Sequence, residues 1–184
     1  MRQTYNNMRN KIDGHAGESI LTPQERAAVV KEIGNDSRVL EIGTYQGATV
    51  GEWAKQRPEA FFISVDNFSW TGDYSRQDNV SAWISNQQKN MRLFVGTAKD
   101  LVRIAQACSF DFIFVDGDHT YAGCKSDLEA ADRLRCERGC VICGHDYATD
   151  NPGQCGVTRA VDEFCKDRGF SIHHTTGSVF FIQC

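Results

Sequence analysis

The chain has 184 residues, of which 41% are hydrophobic and 24% charged, with three prolines and a formal net charge of -4. This composition excludes a disordered or fibrous chain, and a domain of this length buries about two-thirds of its unfolded surface. Mean hydropathy is -0.43 with no apolar run near about 18 residues, which excludes a spanning helix, and the acidic balance offers no general field for nucleic acid or anionic lipid.

The first predicted element is a helix. Thr22-Pro23-Gln24-Glu25 combines a capping box with proline at the first helical position, followed by the stripe Ala27, Val30, Ile33 and a stop at Gly34. A strand at 38–42 leads into the glycine-bounded loop Gly43-Thr44-Tyr45-Gln46-Gly47 and a helix to residue 56. The second strand, 61–65, ends at Asp66; 67–76 reads as an exposed loop, 77–89 as a helix and 91–95 as the third strand. Thr97 caps a helix through 107, with Asp100 in its first turn. The fourth strand, 110–115, is nearly all apolar, as in a strand covered on both faces. A helix at 121–135, a strand at 140–143, a Gly/Pro/Asn-rich loop at 148–156 and a helix at 157–168 follow. A hairpin, 170–175 and 178–183, turns at Thr176-Gly177.

Strand–helix alternation predicts an α/β fold: a single Rossmann-like, doubly wound and mostly parallel sheet of seven strands with a C-terminal antiparallel hairpin. Residues 22–184 are expected to form this domain, and 1–21 an N-terminal segment placed to cover substrate or cofactor. Trp53, Phe61, Phe62 and Phe112 are assigned to the core. Residues 1–20 lack the apolar stretch of a secretory signal. The eight cysteines are therefore read as thiols in a reducing, cytoplasmic compartment.

In open α/β sheets the ligand lies beyond the carboxyl ends of the strands, where strand order reverses. The predicted strands deliver Glu41 and Gly43, then Asp66, then Asp116-Gly117-Asp118-His119, then His145-Asp146 to that edge. The first loop has the spacing Gly43-x-x-x-Gly47, lacks the dinucleotide pattern G-x-G-x-x-G, and ends in Gly47-Ala48-Thr49 where a phosphate loop needs Gly-Lys-Ser/Thr. NAD and nucleoside triphosphates are disfavoured. Asp66, 19 residues after Gly47, is placed to accept hydrogen bonds from both hydroxyls of a ribose. Taken alone, it is equally a turn or cap residue.

The run Val39-Leu40-Glu41-Ile42-Gly43-Thr44-Tyr45-Gln46-Gly47 resembles the first motif of class I S-adenosylmethionine-dependent methyltransferases. Val65-Asp66, Gly96-Thr97-Ala98, the stretch from Phe112 to Tyr121 (FIFVDGDHTY) and Gly144-His145-Asp146-Tyr147 follow in order, a set similar to small-molecule O-methyltransferases of the macrocin and catechol type. The resemblance implies that Gly43, Thr44 and Gly47 line the methionine end of the donor, with Glu41 orienting the loop. It places Asp66 at the ribose, Asn67 beside the adenine, and Thr97 and Ala98 against its ring. A donor without phosphate agrees with a loop free of Lys and Arg.

In metal-dependent relatives Mg²⁺ is held by one acidic residue after the fourth strand and a pair after the fifth, which implies Asp116, His145 and Asp146 here, with Asp116 also at the cofactor. Histidine in that set favours Mn²⁺, Fe²⁺ or Zn²⁺ over Mg²⁺. Asp118 is then the implied general base, with His119 a neighbouring candidate. The implied reaction moves a methyl group to a hydroxyl of a small molecule; the alternative is a module that binds the donor without turnover. Acceptor contacts are expected from residues 1–20, the 67–76 and 147–156 loops or a second subunit of a homodimer, with Tyr5, Trp70, Tyr74 and Tyr147 as candidates. Trp70 and Tyr74 either cover the acceptor or pack their loop down. Cys136, Cys140, Cys143 and His145 have zinc-like spacing, but strand alternation points Cys140 away from Cys143 and His145, so no zinc site is expected. His173 and His174 alternate in the hairpin, one packed and one solvated.

Overall fold

In the computed structural model of the chain, residues 10–105, 109–149 and 155–184 are described. Two short strands, β1 (Asn10–Lys11) and β2 (Glu18–Ser19), pair antiparallel. Then come α1 (Pro23–Glu32), β3 (Arg38–Ile42), α2 (Ala48–Gln56), β4 (Phe61–Asp66), α3 (Arg76–Asn86), β5 (Met91–Val95) and α4 (Ala98–Ile104). The chain continues through β6 (Phe112–Val115), α5 (Tyr121–Leu134), β7 (Val141–Gly144), α6 (Cys155–Arg168), β8 (Ile172–Thr176) and β9 (Val179–Gln183). Seven strands form one sheet in the order β5-β4-β3-β6-β7-β9-β8, parallel except where β9 pairs with β7 and β8. This is the expected Rossmann-like architecture. The tiny β1–β2 hairpin, too short to leave a periodic signal, was not anticipated.

Alternation along the strands sorts side chains into two cores. Leu40, Ile42, Ile113, Val115 and Ile142 face Leu101, Leu128, Val161 and other residues of α4, α5 and α6. Val39, Phe62, Phe112, Phe114 and Cys143 face Val29, Val30, Val50, Trp53 and Trp83 of α1, α2 and α3. Each face of the sheet is thus closed by three helices among the described residues. Cys140 lies in the first core and Cys143 in the second, on opposite faces as alternation requires. Phe61 is a correction: it is 39% exposed at the start of β4, its ring covered by the Arg92 guanidinium at 5.8 Å. His174 stacks on Phe181 while His173 is exposed.

Several boundaries move by a few residues. The helix capped by Thr97 ends at Ile104, and α3 stops at Asn86. Phe110, expected inside a strand, makes only a bridge to Arg135. The register aligns Ile42 with Val65 on one side and with Val115 on the other, and Val115 with Gly144. Consequently Gly43, Asp66, Asp116 and His145 leave the sheet at nearly one level. β3 and β6 are neighbours, and the chain winds outward from them in both directions, which makes their carboxyl ends the switch point. No helix of the described residues is long and apolar enough to cross a membrane.

Candidate functional site

The loop after β3 is folded around two requirements. Gly43 has φ 86° and packs so tightly on the next strand that a Cβ would collide with the Asp116 carbonyl and Gly117. Gly47, at φ 70°, is the N-cap of α2 and leaves no room for a Cβ beside the Trp83 ring. Asp66 then ties the loop to β4: one carboxylate oxygen accepts from the Thr44 and Tyr45 N–H groups at 3.0 and 2.8 Å, the other from Phe68 N–H at 2.6 Å. An ionised carboxylate has about four acceptor positions, so three bonds leave capacity for a ligand hydroxyl. Burial pushes the Asp66 carboxyl up, against the lowering effect of the three N–H groups. Beneath the loop Glu41 is fully buried and accepts from Ser64 Oγ at 2.8 Å; burial drives its carboxyl up to about 8.

The residues expected at the adenine differ in what they offer. Asn67 is exposed, and its side-chain oxygen accepts from Ser69 N–H. Thr97 is exposed but engaged in a capping box with Asp100, its hydroxyl 2.6 Å from the carboxylate, while Ala98 is buried.

At the end of β6, Asp116 and His119 come together. His119 Nε2 lies 3.2 Å from Asp116 Oδ1, and Nδ1 lies 3.2 Å from Asp146 Oδ2. Burial works against an imidazolium here, but the hydrogen bond and charge of Asp116, with the charge of Asp146, raise the His119 pKa. Asp146 adopts φ 65°, the left-handed region that non-glycine residues enter only when their surroundings hold them there. Its side chain is buried, and Oδ2 has no hydrogen-bond donor of satisfactory geometry. Asp116, His119 and Asp146 can each turn one ligand atom to within 4.8 Å of the others.

His145 borders that group, with Nδ1 3.9 Å from Asp116 Oδ1. It shares the strand face of Cys143, so its ring goes to the α1 side of the sheet. There Nε2 lies 3.7 Å from Glu25 Oε1, and Nδ1 lies 3.2 Å from Asp146 Oδ1. His119 thus faces the same two carboxylates that the sequence reading had paired with His145. The missed partner, Glu25, is buried and accepts from Thr22 N–H and Oγ1 at 2.8 Å and from Ser178 N–H at 2.9 Å. Burial alone would raise its carboxyl, but the neighbouring His145 and the hydrogen bonds from Thr22 and Ser178 hold it at about 2. Its capping-box spacing was legible; its reach to the β8–β9 turn was not.

Asp118 is exposed at the rim, one oxygen accepting from Thr120 N–H at 2.9 Å. Asp127 of α5 was also missed: it accepts from the Asp118 N–H and lies under Gly117, with burial raising its carboxyl to about 6. Trp70, 53% exposed, packs with its ring centroid 5.0 Å from that of Tyr45, and the Tyr74 ring lies 6.4 Å from the Tyr45 ring. Tyr147 donates to Asp162 at 2.9 Å and packs on Phe180. Tyr5 and most of the 148–156 loop lie outside the described residues.

A family model described as a methyltransferase domain matches residues 40–147, well over half of the chain. No curated protein matches the sequence. Among solved structures, an O-methyltransferase from Bacillus cereus in complex with SAH superposes with TM-score 0.59 at 20% identity, over 89% of this chain and 81% of that one. A candidate caffeoyl-CoA O-methyltransferase from Staphylococcus aureus gives 0.66 at 14% identity, over 99% and 88%. The precorrin-6y C5,15-methyltransferase of Geobacter metallireducens gives 0.63 at 17% identity, over 93% and 92%. At these identities the structures show a shared fold.

Proposed function

The chain belongs to the methyltransferase-domain family, class I and S-adenosylmethionine-dependent, and from that premise we propose that it methylates a hydroxyl of a small-molecule acceptor with the help of a divalent metal. The observation that carries this reading is the convergence of Asp116, His119 and Asp146 beside the Asp66-anchored glycine loop, at the switch point of the sheet.

S-adenosylmethionine supplies a methyl group already activated on a sulfonium, so the chain's part is alignment and removal of the acceptor proton. The Gly43–Gly47 loop and the free capacity of Asp66 bind the donor, with Asn67, Thr97 and Ala98 around its adenine. Asp116, His119 and Asp146 suit a divalent cation: Asp146 Oδ2 is buried without a well-aligned donor, and the His119 ring lies between two carboxylates, one facing each nitrogen. One imidazole with two carboxylates favours Mn²⁺, Fe²⁺ or Zn²⁺ over Mg²⁺, and such an ion lowers the pKa of a bound hydroxyl. With His119 in the donor set, the rim carboxylate of Asp118 takes the proton. Trp70 and Tyr74 contribute an aromatic wall on the acceptor side.

Methyl-labelled S-adenosylmethionine incubated with a panel of phenols, catechols and sugars tests the reading, with EDTA and with added Mn²⁺. Label on an acceptor oxygen, reduced by EDTA and lowered roughly 10²- to 10⁴-fold in Asp118→Asn at unchanged donor affinity, is expected. Transfer that is indifferent to both would remove the metal and Asp118 from the mechanism.

A further inference from the structure

The donor loop has a third anchorage besides Gly43 and Asp66, and no residue of it touches the acid–histidine group. Gln46, in the middle of the loop, is almost completely buried. Its side-chain nitrogen donates to Asn79 Oδ1 at 2.9 Å, its side-chain oxygen accepts from Glu18 N–H at 2.9 Å, and its carbonyl accepts from Asn86 Nδ2 at 2.9 Å. Asn79 and Asn86, both in α3, are equally buried. Asn79 Nδ2 donates to the Thr71 carbonyl at 3.2 Å, in the loop that carries Trp70 and Tyr74. Asn86 exchanges two bonds with the Ala16 backbone, accepting from its N–H at 2.7 Å and donating to its carbonyl at 2.6 Å. Gly17, at φ 79°, has no Cβ because the Gln46 amide occupies that space. Ser19 Oγ adds a 2.7 Å contact to Thr49 on α2.

Buried primary amides are costly unless satisfied, and each satisfied one fixes the geometry of everything it touches. Here three of them join segments that lie far apart in sequence. One is the strap at 16–19, the second is the donor loop, and the third is the aromatic loop that continues into α3. None of the three amides is charged and none is exposed to a ligand.

We propose that Gln46 is a positioning residue for the donor: through Asn86 and Asn79 it makes the 16–19 strap and the Trp70–Tyr74 loop respond with the glycine loop as one unit, so that donor binding sets the acceptor wall. This rests on the glycine loop being the donor site. Because coupling is reciprocal, a cut made at either asparagine reaches a donor that neither residue touches.

Calorimetric titration of S-adenosylmethionine into the full chain, read together with Trp70 emission, tests this; Trp70→Phe supplies the background from buried Trp53 and Trp83. In the wild type, donor binding changes Trp70 emission. Asn79→Ala and Asn86→Ala each weaken the donor by about tenfold, the scale of one lost hydrogen bond, and Asn79→Ala abolishes the emission change at saturating donor. Asn79→Asp keeps the acceptor for Gln46 but loses the N–H that donates to the Thr71 carbonyl, so it binds S-adenosylmethionine more tightly than Asn79→Ala while still losing the emission change. Combined with Gln46→Ala, Asn79→Ala adds less than its single effect, because the two share one bond. Folded variants that lose thermal stability while binding the donor within twofold of wild type, with emission change intact, would overturn the proposal; should Asn79→Ala not fold, Asn86→Ala decides it on the same criteria. A wild type that binds donor with no emission change would also overturn it, whereas a wild type that binds no donor would instead refute the reading on which it rests.

Discussion

Individual carboxylates in this protein owe their properties to position more than to type. Asp66 looked like a ribose ligand from its place after a strand, and it proves first to be the clasp of the glycine loop. Nothing in the sequence reports that second task, because backbone N–H groups leave no mark in it. Glu41 was legible as part of the first motif, but its burial against Ser64 was not. Its carboxyl is raised from 4.5 to about 8, so the folded state binds its proton more tightly than the unfolded chain. That contribution to stability is complete below pH 4.5 and is lost as pH rises through about 8. Thermal melts of wild type and Glu41→Gln between pH 5 and 9 are expected to show a shallower decline in the variant. At His119 the raised pKa makes proton and metal compete for one nitrogen. Mn²⁺ affinity is therefore expected to climb as pH rises from below the ordinary histidine range to above it, with proton release on binding. Calorimetry in buffers of different ionisation enthalpy measures that proton; His119→Ala should remove it and weaken Mn²⁺ binding by at least about tenfold.

At the scale of elements, local chemistry was the most legible part. Capping boxes at Thr22, Ser75 and Thr97 start α1, α3 and α4; the first was read from the sequence as a box and Thr97 as a cap with Asp100 in its first turn. Elements lost their predicted ends where tertiary contacts decide. Cys140 exchanges backbone bonds with Cys184 just outside β7, and Phe110 pairs only with Arg135. Glu25 shows why a cap can be more than a cap. A solvated capping glutamate serves its own helix, whereas this one also holds Ser178 in the β8–β9 turn and faces His145. Thr22→Ala is expected to cost about 1 kcal/mol, the usual value of a lost cap. Glu25→Ala should cost roughly 2–4 kcal/mol, since it removes the acceptor shared by Thr22 and Ser178 and one of the carboxylates that surround buried His145. Urea denaturation of the two variants, with unchanged m-values, gives that comparison directly.

For the whole molecule, the order of elements sufficed to give the sheet, because strand–helix alternation admits few topologies once crossovers are right-handed. The resulting switch point between β3 and β6 brings Gly43, Asp66, Asp116 and Asp146 to one edge from four separate strands, which is why the candidate site could be drawn before the fold was seen. The histidines could not be assigned in the same way. Both His119 and His145 meet Asp146, one at each carboxylate oxygen, through a left-handed turn at Asp146 that periodicity does not encode. The buried amides of α3 were invisible for a related reason: at their positions a sequence shows only polar residues on a helix. The central claim, that this edge binds S-adenosylmethionine, is tested most directly by titrating the donor into wild type and Asp66→Ala in a calorimeter. One-to-one saturable binding to the wild type, lost in the folded variant, is the predicted result; a folded wild type that takes up no donor, with or without Mn²⁺, would contradict it.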